Sequence, residues 1–425
     1  MRSIDELSAW VRDARRRTLE MVAGLDPRQL LGPRLAVVNP LLWEIGHVAW
    51  FQERWVLRHA AGRPPVRDDG DALWDSSTVP HDTRWDLPLP PLEATRAYMD
   101  EVEARVLRAL EEQTTPEVRY FAEYAVYHED LHDEAFAYTR QTLGYPQPFA
   151  RRDTDASDLA DAGPWPGDVA VPGGPFLLGA AADEPFVFDN EKWAHEVTVA
   201  PFDIARAPVT AAEFAAFVDD GGYRRRDLWS EAGWSWRTER QASHPGYWRC
   251  GAAGWERRDF SRWVPLEPHH PVLHVSWYEA EAWCAWARRR LPTEAEWERA
   301  AATDPKGGKR RFPWGDTAPT AACANLDGRR GGCLDVAALP EGDSAWGCRQ
   351  MIGNTWEWTA SDFRPYPGFV PDAYRDYSEP WFGTHKVLRG GAWTTRARLL
   401  RNTWRNFYPP DRADVWAGFR TCALA

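Results

Sequence analysis

Residues 127–136 read YHEDLHDEAF. His128 and His132 stand one helical turn apart, so a helix projects both imidazoles from one face, close enough to hold one metal ion. Read literally, H-E-x-x-H is the signature of zinc peptidases, with Glu129 as general base. Read as part of a longer amphipathic helix over 117–143, it supplies two ligands to a metal site inside a helical bundle, and Glu129 has no chemical role. The surroundings favour the bundle. Residues 3–24 carry Ile4, Leu7, Trp10, Val11, Ala14 and Leu19 at helical spacing, and residues 40–60 and 92–112 repeat the pattern. Four such segments predict a four-helix bundle over the first third of the chain.

A third ligand is available on the second segment, where residues 43–55 read WEIGHVAWFQERW. His47 lies there among Trp43, Ile45, Val48 and Trp50, on a helix that must pack against the helix of His128 and His132. Alone it would read as a core histidine; beside an H-x-x-x-H pair it completes a candidate metal site. Three neutral imidazoles suit zinc and ferrous iron equally. Glu129 and Asp133 adjoin the two histidines, but each is turned about a hundred degrees around the helix from its neighbour, so neither is expected to ligate.

Beyond the bundle the pattern changes. An irregular connection, residues 62–91, is too long and too aromatic for a plain linker and is a candidate substrate loop. The stretch from Gly144 to Gly167, rich in Pro, Asp and Ala, marks a boundary. The expected organisation is a helical domain over 1–150, a linker over 151–165 and a second domain over 166–425. In that second domain short apolar runs alternate with Gly, Pro and Asn. Clear helical patterning is confined to 210–221 and to 276–290 with its continuation 293–301. The 26 Trp, 31 Gly and 34 Pro suit a loop-rich fold held by aromatic clusters. A formal net charge of -12 argues against a nucleic-acid partner. No run is apolar enough to span a bilayer, and a charged N-terminus without a signal-peptide core makes a cytoplasmic protein the expectation. Cys250, Cys284, Cys323, Cys333, Cys348 and Cys422 form no C-x-x-C pair and are expected to be free, mostly buried thiols.

Several runs together resemble one family. They are W-x-x-G-H at 43–47, H-E-x-x-H-D-E at 128–134, VPGGPFLLG at 171–179 and PVLHVSWYEAEAWCAWARRRLPTEAEWERAA at 271–301. FPWGD at 312–316, QMIGNTWEWT at 350–359, VLRGGAW at 387–393 and RNFYPPDRADVWAGFR at 405–420 complete the set. Nearly the whole chain is similar to the EgtB/SenA-type nonheme iron sulfoxide and selenoxide synthases. The resemblance implies an α+β architecture, a DinB-like four-helix bundle followed by a domain like the formylglycine-generating enzyme, a C-type lectin variant. In the second half Trp297, Trp356 and Trp358 read as packing anchors. The positions matching the copper-binding cysteines of the formylglycine-generating enzyme are Thr395 and Leu400, so that activity is not expected.

The resemblance also implies roles. His47, His128 and His132 would hold Fe(II), with O2 as co-substrate and hercynine (Nα-trimethylhistidine) as acceptor of a carbon–sulfur or carbon–selenium bond at imidazole C2. Tyr374, in YRDYSEPWF at 374–382, would donate a proton, with Tyr377 structural. Asn406 and Phe407 would contact hercynine, and Arg412 a carboxylate or the donor. Members using γ-glutamylcysteine carry an arginine three residues before the one matching Arg84, where this chain has His81, and an aspartate where it has Tyr408. A hercynine-contacting glutamine is replaced by Leu131. With those charges gone, a selenosugar donor and a selenoneine-forming reaction are favoured, in keeping with H-E-D-L-H-D-E-A-F beside VPHDTRWDLPLP at 79–90. The alternatives are an ergothioneine-type synthase using cysteine or γ-glutamylcysteine and, more remotely, a zinc hydrolase or a non-catalytic lectin-like binder. Loops around Asn325 and Asn354 are candidate structural calcium sites.

Overall fold

The computed structural model describes residues 2–113, 115–149 and 162–424. The chain forms two compact units, Met1–Pro148 and Phe149–Ala425. Most of the expected linker, residues 150–161, lies outside the described residues. Residues 162–165 belong to the second unit, where the Gly163 amide donates to Asp335 (2.8 Å) and the Arg349 guanidinium lies 4.2 Å over the Trp165 ring.

In the first unit the long helices begin and end where capping chemistry says they should. Ser3 accepts from the Glu6 amide to start α1 (Ile4–Val22), and Asp26 caps the short α2 (Pro27–Leu31). The central helix α3 (Leu41–Gln52) is buried along nearly its whole length and continues in wider π-type turns over Glu53–Ala60. After α4 (Gly70–Trp74) and α5 (Leu92–Glu112) comes α6 (Pro116–Leu143), opened by Thr115 and Pro116 and closed by Gly144 at φ 67°.

What joins these helices is polar. Glu129 on α6 is fully buried. It accepts hydrogen bonds from Arg15 Nε of α1 (2.9 Å) and from Gln52 Nε2 of α3 (2.8 Å). The Thr18 hydroxyl lies between Glu129 (2.8 Å) and Asp133 (2.9 Å), and Arg15 Nη1 donates to the Met99 carbonyl of α5 (2.6 Å). One ion pair thus touches all four long helices. Glu129 is no bystander, as the sequence suggested; its charge is the polar centre of the bundle.

The irregular connection is more ordered than a substrate loop requires. It contains α4 and a single turn at His81–Thr83. It also buries Trp74 completely, stacked 4.9 Å from Tyr98. Trp74 lies so close to α3 that a side chain at Gly46 would overlap its indole. The glycine of W-x-x-G-H is therefore a requirement of packing.

The second unit is built on two four-stranded sheets. One orders β1 (Asp168–Val171), β4 (Phe202–Ala205), β13 (Cys422–Ala423) and β8 (Arg289–Arg290). The other orders β11 (Asn406–Tyr408), β10 (Lys386–Arg389), β9 (Trp356–Asp362) and β12 (Ala417–Gly418). A hairpin of β2 (Gly174–Leu178) and β3 (His195–Val199) and a meander of β5 (Trp248–Gly251), β6 (Gly254–Asp259) and β7 (Arg262–Pro265) complete the strands. The helices are α7 (Ala211–Asp219), α8 (Glu231–Glu239), α9 (Trp277–Ala287) and α10 (Glu294–Ala302). Two readings are corrected here. The helix over 276–290 does not run on into 293–301, because Arg288 turns left-handed (φ 53°), Pro292 follows and Thr293 caps a new helix. The Trp-rich α8, capped by Ser230, was not foreseen.

The motifs of this unit encode buried charge pairs. Glu294 and Glu298, one turn apart on α10, take Arg389 at 2.9 and 2.5 Å, and Glu294 also takes Arg405 at 2.7 Å. Glu357 of WEWT takes Arg420 and the Trp297 indole N–H, both at 2.7 Å. Arg405, readable as a surface charge, is 1% exposed. Trp297, Trp356 and Trp358 are buried, as packing anchors should be. Cys284, Cys348 and Cys422 are buried thiols, Cys323 and Cys333 are partly covered and Cys250 is exposed. Among the described residues no helix is long and apolar enough to cross a membrane.

Two substitutions test the packing. Glu129→Ala leaves the Arg15 charge buried and unpaired, and the bundle should lose roughly 3 to 5 kcal/mol in urea denaturation followed by far-UV circular dichroism. Gly46→Ala forces the Trp74 indole aside and should cost about 1 to 3 kcal/mol by the same measurement.

Candidate metal centre

Helix α3 delivers His47, and α6 delivers His128 and His132 one turn apart. One ring nitrogen of each lies within 4.8 Å of the others, and among the described residues this is the single such cluster of three or more His, Cys, Asp or Glu side chains. His47 and His128 are buried, and His132 keeps 20% of its side chain exposed. Two rings are oriented by fixed acceptors. His47 Nδ1 lies 2.8 Å from the Trp74 carbonyl, so it carries the proton and leaves Nε2 with its lone pair. His132 Nδ1 lies 2.6 Å from Oε1 of Glu44, a carboxylate buried on α3. Both are the outer partners that metal-ligating histidines use to fix tautomer and ring angle. The Trp43 ring stacks on His47 at 4.9 Å, and Phe51 stacks on His128 at 3.6 Å. Burial and then the neighbouring His132 push the imidazolium forms of His47 and His128 well below the ordinary histidine range. Both rings are thus neutral, the form in which imidazole binds a metal.

The donor set fits a divalent transition metal on these observations: three converging nitrogens, two with engaged outer nitrogens, and two of the three rings buried. It does not fit a peptidase. Both oxygens of Glu129 are committed to Arg15, Gln52 and Thr18, so no carboxylate from H-E-x-x-H is available as a base.

The loop residues lie near the entry to α3. His81 Nε2 is 2.8 Å from the Val38 carbonyl and Nδ1 is 3.1 Å from Asp82. Arg84 donates to Asn39 Oδ1 (2.7 Å), and its guanidinium covers the Trp43 ring at 3.9 Å. Arg84, Trp43 and His47 therefore form a continuous stack. Glu44, Gly46 and Trp74 were missed as site residues. Glu44 could have been found from its position three residues before His47, on the same helix face.

In the second unit, Tyr374 sits in a segment clamped from both sides. Asp189 accepts from the Ser378 hydroxyl (2.5 Å) and the Asp372 amide (3.3 Å), four residues after and two before that tyrosine. Burial pushes the Asp189 carboxyl up to about 6. Tyr377 stacks on Phe188 at 4.4 Å, and its hydroxyl accepts from the Trp404 indole at 3.5 Å. On β11, Asn406 Oδ1 accepts from the Phe407 amide (2.8 Å), and Phe407 stacks on Phe363 at 4.0 Å. Arg412 lies 5.1 Å over the Tyr408 ring and donates twice to Asp414, at 2.6 and 2.7 Å. A ligand carboxylate at Arg412 would compete with Asp414. At the candidate calcium loops the amides bond to each other and to the backbone. Asn354 Oδ1 accepts from Asn325 Nδ2 and the Leu334 amide, both at 2.9 Å, whereas Asn325 Oδ1 is buried without a hydrogen bond.

Comparison with known proteins places this geometry. The profile of the DinB superfamily matches residues 11–136. That of the sulfatase-modifying factor enzyme 1-like domain matches residues 155–424. A hercynine oxygenase of Mycolicibacterium thermoresistibile is 42% identical over 98% of this chain and 94% of its own. One from Mycobacterium tuberculosis is 40% identical over 99% of both chains. A formylglycine-generating enzyme of Streptomyces coelicolor is 33% identical over 60% of this chain and 88% of its own. The chain belongs to the family of these hercynine oxygenases, the EgtB/SenA-type synthases, and is an oxygenase enzyme made of a DinB helical domain followed by a domain like the formylglycine-generating enzyme.

Proposed function

We propose that this protein is a nonheme Fe(II) enzyme that uses O2 to join a chalcogen donor to imidazole C2 of hercynine, with His47, His128 and His132 as the iron ligands. One observation carries the reading. Three imidazoles, two of them buried and held neutral, converge with no carboxylate among them, in a chain that aligns end to end with hercynine oxygenases. His47, His128 and His132 would hold the iron, which would supply activation of O2 and of the thiolate or selenolate. The overall balance is one donor R–SH or R–SeH, one hercynine C–H and one O2, giving the C2-substituted sulfoxide or selenoxide and one water.

The chain's own residues divide the remaining work. Trp74 and Glu44 fix two ligand rings, and Trp43 and Phe51 stack on His47 and His128 and keep water from them. Tyr374 is the proton donor in this reading, on a segment whose ends are held by Asp189. In this reading Asn406 and Phe407 are the hercynine contacts, and His81, Arg84, Tyr408 and Arg412 are carried over from the family pattern as candidate donor residues.

The favoured donor is a neutral selenosugar. His81 and Tyr408 replace the arginine and aspartate that grip γ-glutamylcysteine, and two other charges are already engaged, Arg412 by Asp414 and Arg84 by Asn39. A doubly charged donor would leave its ends poorly paired, at roughly 1 to 3 kcal/mol for each lost partner.

Two results are expected. His47→Ala should abolish stoichiometric Fe(II) binding, read by metal analysis after anaerobic reconstitution, while the circular dichroism spectrum stays folded. Full iron occupancy in that variant would contradict the ligand assignment. With hercynine and O2, equal concentrations of selenosugar, cysteine and γ-glutamylcysteine should give mainly the selenium product by mass spectrometry. The specificity constant for the selenosugar should be higher by on the order of a hundredfold. Preferred use of either thiol would make the enzyme an ergothioneine-type synthase.

A further inference from the structure

Two buried carboxylates in the helical unit are treated differently. Glu129 faces the guanidinium of Arg15 at 2.9 Å. Glu44 is 1% exposed, yet among the described residues its ion-pair partner is His132 alone, and its Oε2 makes no hydrogen bond. A carboxylate buried with one oxygen on an imidazole and the other without a hydrogen bond is costly. The arrangement makes sense when a dication binds the far side of that imidazole. The carboxylate then polarises Nδ1–H, and the ring becomes a stronger donor through its other nitrogen. Glu44 also sits one turn before His47 on α3, so a single helix face carries one ligand and the outer partner of another.

We propose that Glu44 is a positioning residue of the metal centre: it supplies the negative charge that offsets the dication, acts through His132, and makes His132 the most strongly donating of the three imidazoles. The proposal rests on the three-histidine reading of the iron site. It also separates the ligands by strength, since His47 is backed by a neutral backbone carbonyl.

The Glu44→Gln variant isolates the charge. Its amide oxygen can accept from His132 Nδ1–H as Oε1 does, and its amide nitrogen takes the place of Oε2, the oxygen without a hydrogen bond. Glu44→Ala removes both charge and hydrogen bond. The experiment measures Co(II) affinity of the full-length apo-protein by competition with a chelator of known affinity, together with the Co(II) absorption spectrum and the urea midpoint of each apo form. The expected result is affinity weakened about tenfold in Glu44→Gln and up to about a hundredfold in Glu44→Ala. The visible band should move in the alanine variant, and the apo Glu44→Gln midpoint should be no lower than wild type, because that variant keeps the volume of the side chain and its hydrogen bond to His132. Wild-type affinity in both variants overturns the proposal. So does a loss of affinity that merely follows a fall in apo stability, which would mark Glu44 as a structural residue. If wild type and His47→Ala bind Co(II) equally weakly, the three-histidine reading itself fails, and the two failures are thereby told apart.

Discussion

The helical unit depends on a carboxylate placed where no water reaches it. Glu129 projects from α6 into the space between α1, α3 and α5 and is satisfied there by Arg15, Gln52 and the Thr18 hydroxyl. Because such a pair is strongly unfavourable when half made, it fixes the rotation of α6 about its own axis. The same rotation carries His128 and His132 on adjoining faces of α6, where their rings meet that of His47 on α3. The literal H-E-x-x-H motif thus has its chemistry inverted. The glutamate that would be a base in a peptidase is a structural ion here, and the two histidines meet His47.

From that constraint the rest of the centre follows by packing. Gly46 admits the Trp74 indole against α3, and the same tryptophan offers its carbonyl to His47. Glu44, on the helix that bears His47, reaches across to His132. The connection read from sequence as a substrate loop is therefore partly scaffold: Trp74 orients His47, and Arg84 covers the tryptophan stacked on that ring. In the second unit buried arginines do the equivalent work, with α10 and β9 anchored through Arg389, Arg405 and Arg420.

Much of this was legible in the residues. The spacing of His128 and His132, the apolar periods of the long helices and the Thr115–Pro116 opening of α6 are local signals, written within a few residues of one another. The role of His47 was legible only jointly with the other two. What escaped was non-local. Nothing near Glu44 says that it faces His132, 88 positions away. Nothing near Glu129 says that Arg15 will arrive from α1. Arg405 reads as a surface charge until Glu294 is brought beside it. The break at Arg288 was written in Pro292 and in the Thr293–Glu296 capping box, but the Trp-rich helical period on both sides masked it. The residues proposed to face substrate in the second unit gained least from sequence chemistry, since Tyr374, Asn406 and Arg412 are distinguished by motif position alone.

The central claim is that iron is bound by imidazoles from two helices while Glu129 serves only the bundle. Its most direct test is anomalous diffraction at the iron edge from crystals of the Fe(II)-loaded protein grown without oxygen. The account predicts one strong peak bonded to His47, His128 and His132, with Glu129 still on Arg15. A peak ligated by Glu129, or iron found away from these three rings, would contradict it.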